Sequence, residues 1–150
     1  MWRVIEKYGV TFCRFYLGGF NLVSGLNWFF LFWPQPKIED STGNEFIIAA
    51  MDLNLFTYAK IFEIIGGACL VFNRFVPLGL VLLMPVTMQI FLVNIPWSPL
   101  PHVQLSVTRN LAMHLILLAA YANHFYPLLR ARTAPQPVWR KPSRIGGAMR

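Results

Sequence analysis

Lys60 and Glu63 are the pair in this chain whose types and spacing most invite chemistry. Three residues apart on a helix, they share a face. They also interrupt an apolar stretch, Leu53 to Phe72, long enough to cross a bilayer. A charged side chain at the centre of such a stretch costs about 2.5–3.5 kcal/mol or more unless it is partnered. Two readings follow: a buried ion pair that fixes helix register, or a ligand-facing, proton-handling pair. His114 stands in another apolar run, where an interior hydrogen bond and a proton or ligand contact are the alternatives. Counting about 1.5 Å per residue from the middle of each run puts Asn27, Lys60, Gln89 and His114 at one level, with Ser24 and Glu63 near the midplane. A stripe of heptad type, Asn110, His114, Leu117, Tyr121, His124 and Leu128, adds Tyr121 to the His114 face. These residues predict a polar layer in one half of the bilayer, flanked by Trp28, Phe56 and Tyr58.

Other chemistries find little support. A bis-histidine haem needs ligands on facing helices, whereas His114 and His124 share one helix and His102 falls in a loop. Nothing has metal-finger spacing, and no nucleophile and base pair, phosphate loop or dinucleotide fingerprint occurs. Cys13 and Cys69 fall at the same end of their helices, where packing as small hydrophobes outweighs a redox pair in a reducing compartment. No catalytic residue and no metal site are expected.

The elements that must position these groups are membrane helices. The 150-residue chain is 56% hydrophobic and 13% charged, about half the charge of an ordinary soluble domain, with a mean hydropathy of +0.50. Four spans are predicted, approximately 15–33, 53–72, 76–95 and 109–129. The first ends in aromatic residues suited to the bilayer interface, Trp28, Phe29, Phe30, Phe32 and Trp33. It is too long for the apolar region of a cleaved signal peptide, and Pro34-Gln35-Pro36 follows it. The acidic segment from Pro34 to Asp52 cannot lie in hydrocarbon. Phe46 to Met51 is apolar again, so either the second helix starts there or a short interfacial helix precedes it. Asn73-Arg74-Phe75 is only a turn, which makes spans two and three an antiparallel hairpin. Pro77 sits harmlessly in the first turn of span three, Pro85 predicts a kink, and Pro96, Pro99 and Pro101 predict an extended loop.

Charge orients this scheme. Arg3, Lys7, Arg14, Arg74, Arg130, Arg132, Arg140, Lys141, Arg144 and Arg150 fall on one side, against Lys37 and Arg109 on the other. That bias places both termini and the Arg74 turn in the cytoplasm. The net charge of +7 is therefore read as membrane orientation and contact with anionic lipid, not nucleic-acid binding. The basic tail, residues 133–150, contains prolines and adjacent glycines and predicts disorder unless a partner orders it.

Several stretches together resemble the DoxX-like family of small membrane proteins: Arg14-x-x-x-Gly18-Gly19 with Ser24-Gly25-Leu26, Glu63-x-x-Gly66-Gly67-x-x-Leu70 followed by Arg74, Leu83-Met84-Pro85 with Asn94, and Phe125-Tyr126-Pro127-Leu128-Leu129-Arg130. The resemblance covers residues 1–132 and implies an all-α four-helix bundle with cytoplasmic termini, in a bacterial inner membrane. It also implies a link to quinone or redox metabolism, as a subunit of a larger complex. Asn27 and the Asn94-Ile95-Pro96 stretch depart from the family pattern, each removing a titratable group.

The leading expectation is an accessory or assembly subunit of a redox-type membrane complex, without activity of its own. It would pack or dock through Gly18, Gly19, Gly25, Gly66 and Gly67 and contact a membrane protein partner or a second copy. The alternative is a protein that binds quinone or another lipophile in the polar layer, with Lys60, Glu63, His114, Asn27, Gln89 and Tyr121 handling ligand or protons. No covalently bound cofactor is expected.

Overall fold

The computed structural model describes residues 2–34, 42–98 and 100–126, and every regular element among them is helical. The elements are α1 (Trp2–Phe30), α2 (Thr42–Asp52), α3 (Leu55–Val71), α4 (Val76–Trp97), α5 (Pro101–Ala120) and the single turn α6 (Ala122–Phe125). The basic tail and Lys37 lie outside the described residues.

Two helices, α4 over Val76–Pro96 and α5 over Pro101–Ala120, are long and apolar enough to cross a membrane. The pair α2 and α3 passes the same test only when joined, and its two parts meet at 88°. The sharp corner follows from Asn54, which takes the left-handed conformation (φ 58°) that asparagine tolerates better than most residues. Of the two starts for the second helix, the chain thus takes the short separate one. Alone, α3 has 17 residues, about 26 Å, at the lower limit for a span. The longest helix, α1, is not apolar enough, because Arg14, Asn21, Ser24 and Asn27 punctuate it.

Packing joins the long helices cyclically: α1 lies against α3 and α5, α3 against α4, and α4 against α5. Leu17, Leu70, Leu80, Leu83 and Leu117 are fully buried and form the core with Cys13 and Val76. Outward-facing positions are equally apolar: Phe12, Phe15, Phe62, Ile65, Leu78, Val81, Leu92, Leu115 and Ile116 are all exposed. Apolar residues on every side are what a helix in lipid carries, and a water-facing surface helix does not.

The hairpin between α3 and α4 is closed by a Schellman-type turn. Asn73 is left-handed (φ 54°), and the Arg74 amide donates to the Cys69 carbonyl at 3.1 Å. From α1, Arg14 reaches across to donate to the Asn73 side-chain oxygen.

The helix limits differ from the predicted span limits at several points. The first helix runs from Trp2 to Phe30, so it starts well before Phe15 and stops short of Trp33. Helix α4 continues through Pro85 and Pro96 to Trp97. The last long helix begins at Pro101, not near Arg109, because proline is preorganised for the first helical position, where its missing N–H is not needed. His102 is therefore helical. Arg109 lies about 12 Å inside the helix instead of at its mouth. The run expected to reach Leu129 breaks at Tyr121 (φ −101°, ψ 14°), within the described residues.

Candidate functional site

Small residues let α3 approach α1 closely enough for polar groups to meet. A Cβ at Gly67 would lie 2.6 Å from the Leu22 amide nitrogen and 2.7 Å from the Gly18 carbonyl oxygen. At Gly18 it would meet Leu70 at 2.7 Å, and at Gly25 the Lys60 carbonyl at 2.9 Å. Gly66 does the same work against α4, where Leu83 and the Gly79 carbonyl would be struck. Gly19 differs: a Cβ there meets nothing within 4 Å. Four of the five glycines expected at packing faces thus join helices of this chain to one another, and only Gly19 faces outward.

One turn along this seam sits the ion pair. Lys60 Nζ donates to Glu63 Oε1 at 3.0 Å, to Glu63 Oε2 at 2.8 Å and to Ser24 Oγ at 2.9 Å. An ammonium has three donors, and all three are used. Glu63 is 2% exposed and Lys60 12%, so the pair is out of solvent. Phe56 covers the ammonium at 5.1 Å and packs in turn against Trp28 with the rings tilted, their centroids 4.9 Å apart. Neutralised, satisfied and capped, the pair holds α1 to α3 through Ser24.

His114 is built into a different seam. Fully buried on α5, it faces α4, where Nε2 lies 3.1 Å from the Leu80 carbonyl oxygen and Nδ1 lies 3.0 Å from Thr87 Oγ1. Thr87 Oγ1 is also 2.9 Å from the Leu83 carbonyl oxygen, one turn back on its own helix. Both ring nitrogens therefore have partners within α4.

The predicted polar layer thus divides. Lys60, Glu63 and Ser24 come together, His114 joins Thr87, and no hydrogen bond links the two groups among the described residues. Asn27 is engaged at the end of α1, where its Oδ1 accepts from the Trp33 amide at 2.7 Å. Gln89 is half-buried and has no hydrogen-bond partner among the described residues. Tyr121 sits at the helix break, half-buried against the leucine core and 5.9 Å from the exposed His124 ring, so the stripe holds through Tyr121 and fails at His124. Thr87 and Asn21 were missed by the residue-level reading of chemistry. Asn21 Nδ2 bonds the Leu17 carbonyl at 2.7 Å, whereas Oδ1 of Asn110, which heads the predicted stripe, is buried without a partner among the described residues. Their signal was simply a small polar residue on the buried stripe of an otherwise apolar helix.

The α1 face that turns away from α3 carries a groove of about 480 Å³, lined by Phe15, Tyr16, Gly19, Phe20, Val23, Ser24, Asn27 and Trp33. Its volume lies in the range of small-molecule sites, which are mainly apolar with a few placed polar groups. Ser24 belongs both to this groove and to the ion-pair cluster. At the edge, Arg109 lies 4.9 Å over the Tyr16 ring. Cys13 and Cys69 are both free thiols. Among the described residues no three His, Cys, Asp or Glu side chains gather as metal ligands. No protein-family model, curated protein or solved structure matches the chain.

Proposed function

We propose that this chain is an integral membrane accessory subunit, without catalytic residues of its own, that holds a lipophilic molecule for a larger membrane complex. The observation that carries the reading is the α1 groove, where Ser24, one of its polar side chains, is backed by the Lys60–Glu63 pair. The four long helices are taken as four spans of a bundle with α2 lying along the interface. The positive residues flanking them favour cytoplasmic termini in a bacterial inner membrane. The family-like motifs support DoxX-like membership and make a quinone the first molecule to look for. Purification in mild detergent followed by extraction of bound lipophiles is the test. A stoichiometric lipophile, lost when Gly19→Phe fills the groove, is the expected result; wild-type protein free of any would refute the reading.

A second reading is assembly alone, with the groove receiving a helix of a partner or a second copy. It is favoured by Gly19, where a neighbouring backbone can approach, and by an α1 too polar to be a comfortable lipid-facing helix. Here proteins, not small molecules, should co-purify. Their release by Gly19→Phe or by deletion of residues 133–150 would support it, and unchanged co-purification after both changes would refute it.

A further inference from the structure

Some hydroxyl and amide side chains on these helices turn back on their own backbone. Thr108, Asn21 and Asn94 each donate to the carbonyl four residues earlier, at 2.7–2.8 Å, and Thr87 Oγ1 is shared between the Leu83 carbonyl and His114 Nδ1. Such bonds consume the donor. Ser24 does otherwise. Its oxygen accepts from Lys60 Nζ, and its own O–H has no acceptor among the described residues. Because Ser24 lines the groove, that hydrogen is available to whatever occupies it.

We infer that the α1 groove binds an uncharged lipophile through a carbonyl oxygen, which accepts a hydrogen bond from the Ser24 hydroxyl. The inference rests on the groove being a lipophile site and names the class of molecule it takes. The Lys60 ammonium polarises the hydroxyl from behind, and two guanidiniums lie over lining rings, Arg109 over Tyr16 and Arg14 over Phe15. Both guanidiniums are cations, so the groove favours an acceptor oxygen and disfavours an amine. The aromatic walls formed by Phe15, Tyr16, Phe20 and Trp33 suit a flat or chain-like apolar body. Depth separates this class from bulk phospholipid. Ser24 lies six residues, about 9 Å, inside the end of α1 at Phe30. A phospholipid ester is tethered to its headgroup at the interface, whereas a neutral ketone-type carbonyl can sink to the Ser24 level. At the Ser24 level Lys60 is already neutralised by Glu63, so no anionic group is required there.

The test uses an alkyl-substituted benzophenone, an apolar ketone that crosslinks to nearby C–H bonds when irradiated, on the full chain in lipid nanodiscs. Mass spectrometry should map adducts to residues 15–33. Labelling should fall about three- to tenfold in Ser24→Ala, the range of one hydrogen bond, and be retained in Ser24→Thr. It should be abolished in Gly19→Phe. Excess ketone of the same class should compete, and its analogue with a methylene in place of the carbonyl should compete far less. Labelling that is lost in Gly19→Phe but unchanged in Ser24→Ala, with equal competition by the methylene analogue, would overturn the inference and leave the groove as a site. Labelling indifferent to Gly19→Phe would overturn both.

Discussion

The seam between α1 and α3 and the seam between α4 and α5 each place a nitrogen-bearing side chain in an apolar layer, with opposite materials. In the first, two formal charges cancel, and backbones made bare by Gly18, Gly25 and Gly67 come close enough for Ser24 to reach Lys60. In the second there is no ion pair and no charged residue anywhere on α4. His114 is satisfied by a hydroxyl and a carbonyl amid Leu80, Leu83 and Leu117. The charged seam borders a groove open to the outside; in the neutral seam His114 and Thr87 are both buried. An ion pair kept at the edge of the ring is a poor way to gain stability, since apolar residues of the same volume often serve as well or better. Its retention beside an opening is what a binding role would require.

Breaking the charged seam should give the largest effect. Lys60→Met leaves Glu63 buried and unpaired, which should cost about 3–5 kcal/mol in detergent unfolding. The double variant Lys60→Met/Glu63→Leu should recover most of that loss. Full loss in the double variant would mean that the charges, not their pairing, are needed.

Next in size is the close approach that the glycines allow. Gly67→Ala should lower stability by about 1–3 kcal/mol, since the added methyl strikes backbone on α1, which cannot turn aside as a side chain could. Gly19→Ala, into open space, should stay within about 0.5 kcal/mol. Equal effects at the two positions would contradict the assignment of Gly67 to an internal seam and Gly19 to the outer face.

The neutral seam should be less sensitive. Thr87→Val removes the partner of His114 Nδ1 and should cost about 0.6–1.5 kcal/mol, the usual range for one hydrogen bond inside a membrane protein or core. Smallest of all is Asn110→Leu. Because the Asn110 oxygen has no partner, its removal should be neutral or slightly stabilising in the same unfolding assay.

Much of this contrast could be read from the residues. Spacing alone put Lys60 beside Glu63, and the Gly66-Gly67 pair one turn on pointed to close packing. Asn73-Arg74-Phe75 could only be a turn. What spacing could not supply was azimuth. Asn27, Lys60, Gln89 and His114 share a level, but a level does not say which neighbour each side chain faces, and the helices turn His114 toward Thr87 and Asn27 toward the end of its own helix. Proline misled at the other end: three prolines within six residues suggested a loop, although Pro96 falls in the last turn of α4 and Pro101 opens α5. The break at Tyr121 left no sequence signal, and it turns His124 out of the stripe that holds His114.

The most direct test of the four-span account is side-specific labelling of single cysteines, placed at Asn54, Arg74, Ser98 and His124 in a background lacking Cys13 and Cys69. The account predicts that Asn54 and Ser98 are reached only from one aqueous compartment and Arg74 and His124 only from the other. Labelling of Arg74 and Ser98 from the same side would contradict it, because α4, the most apolar helix of the chain, would then not cross the membrane at all.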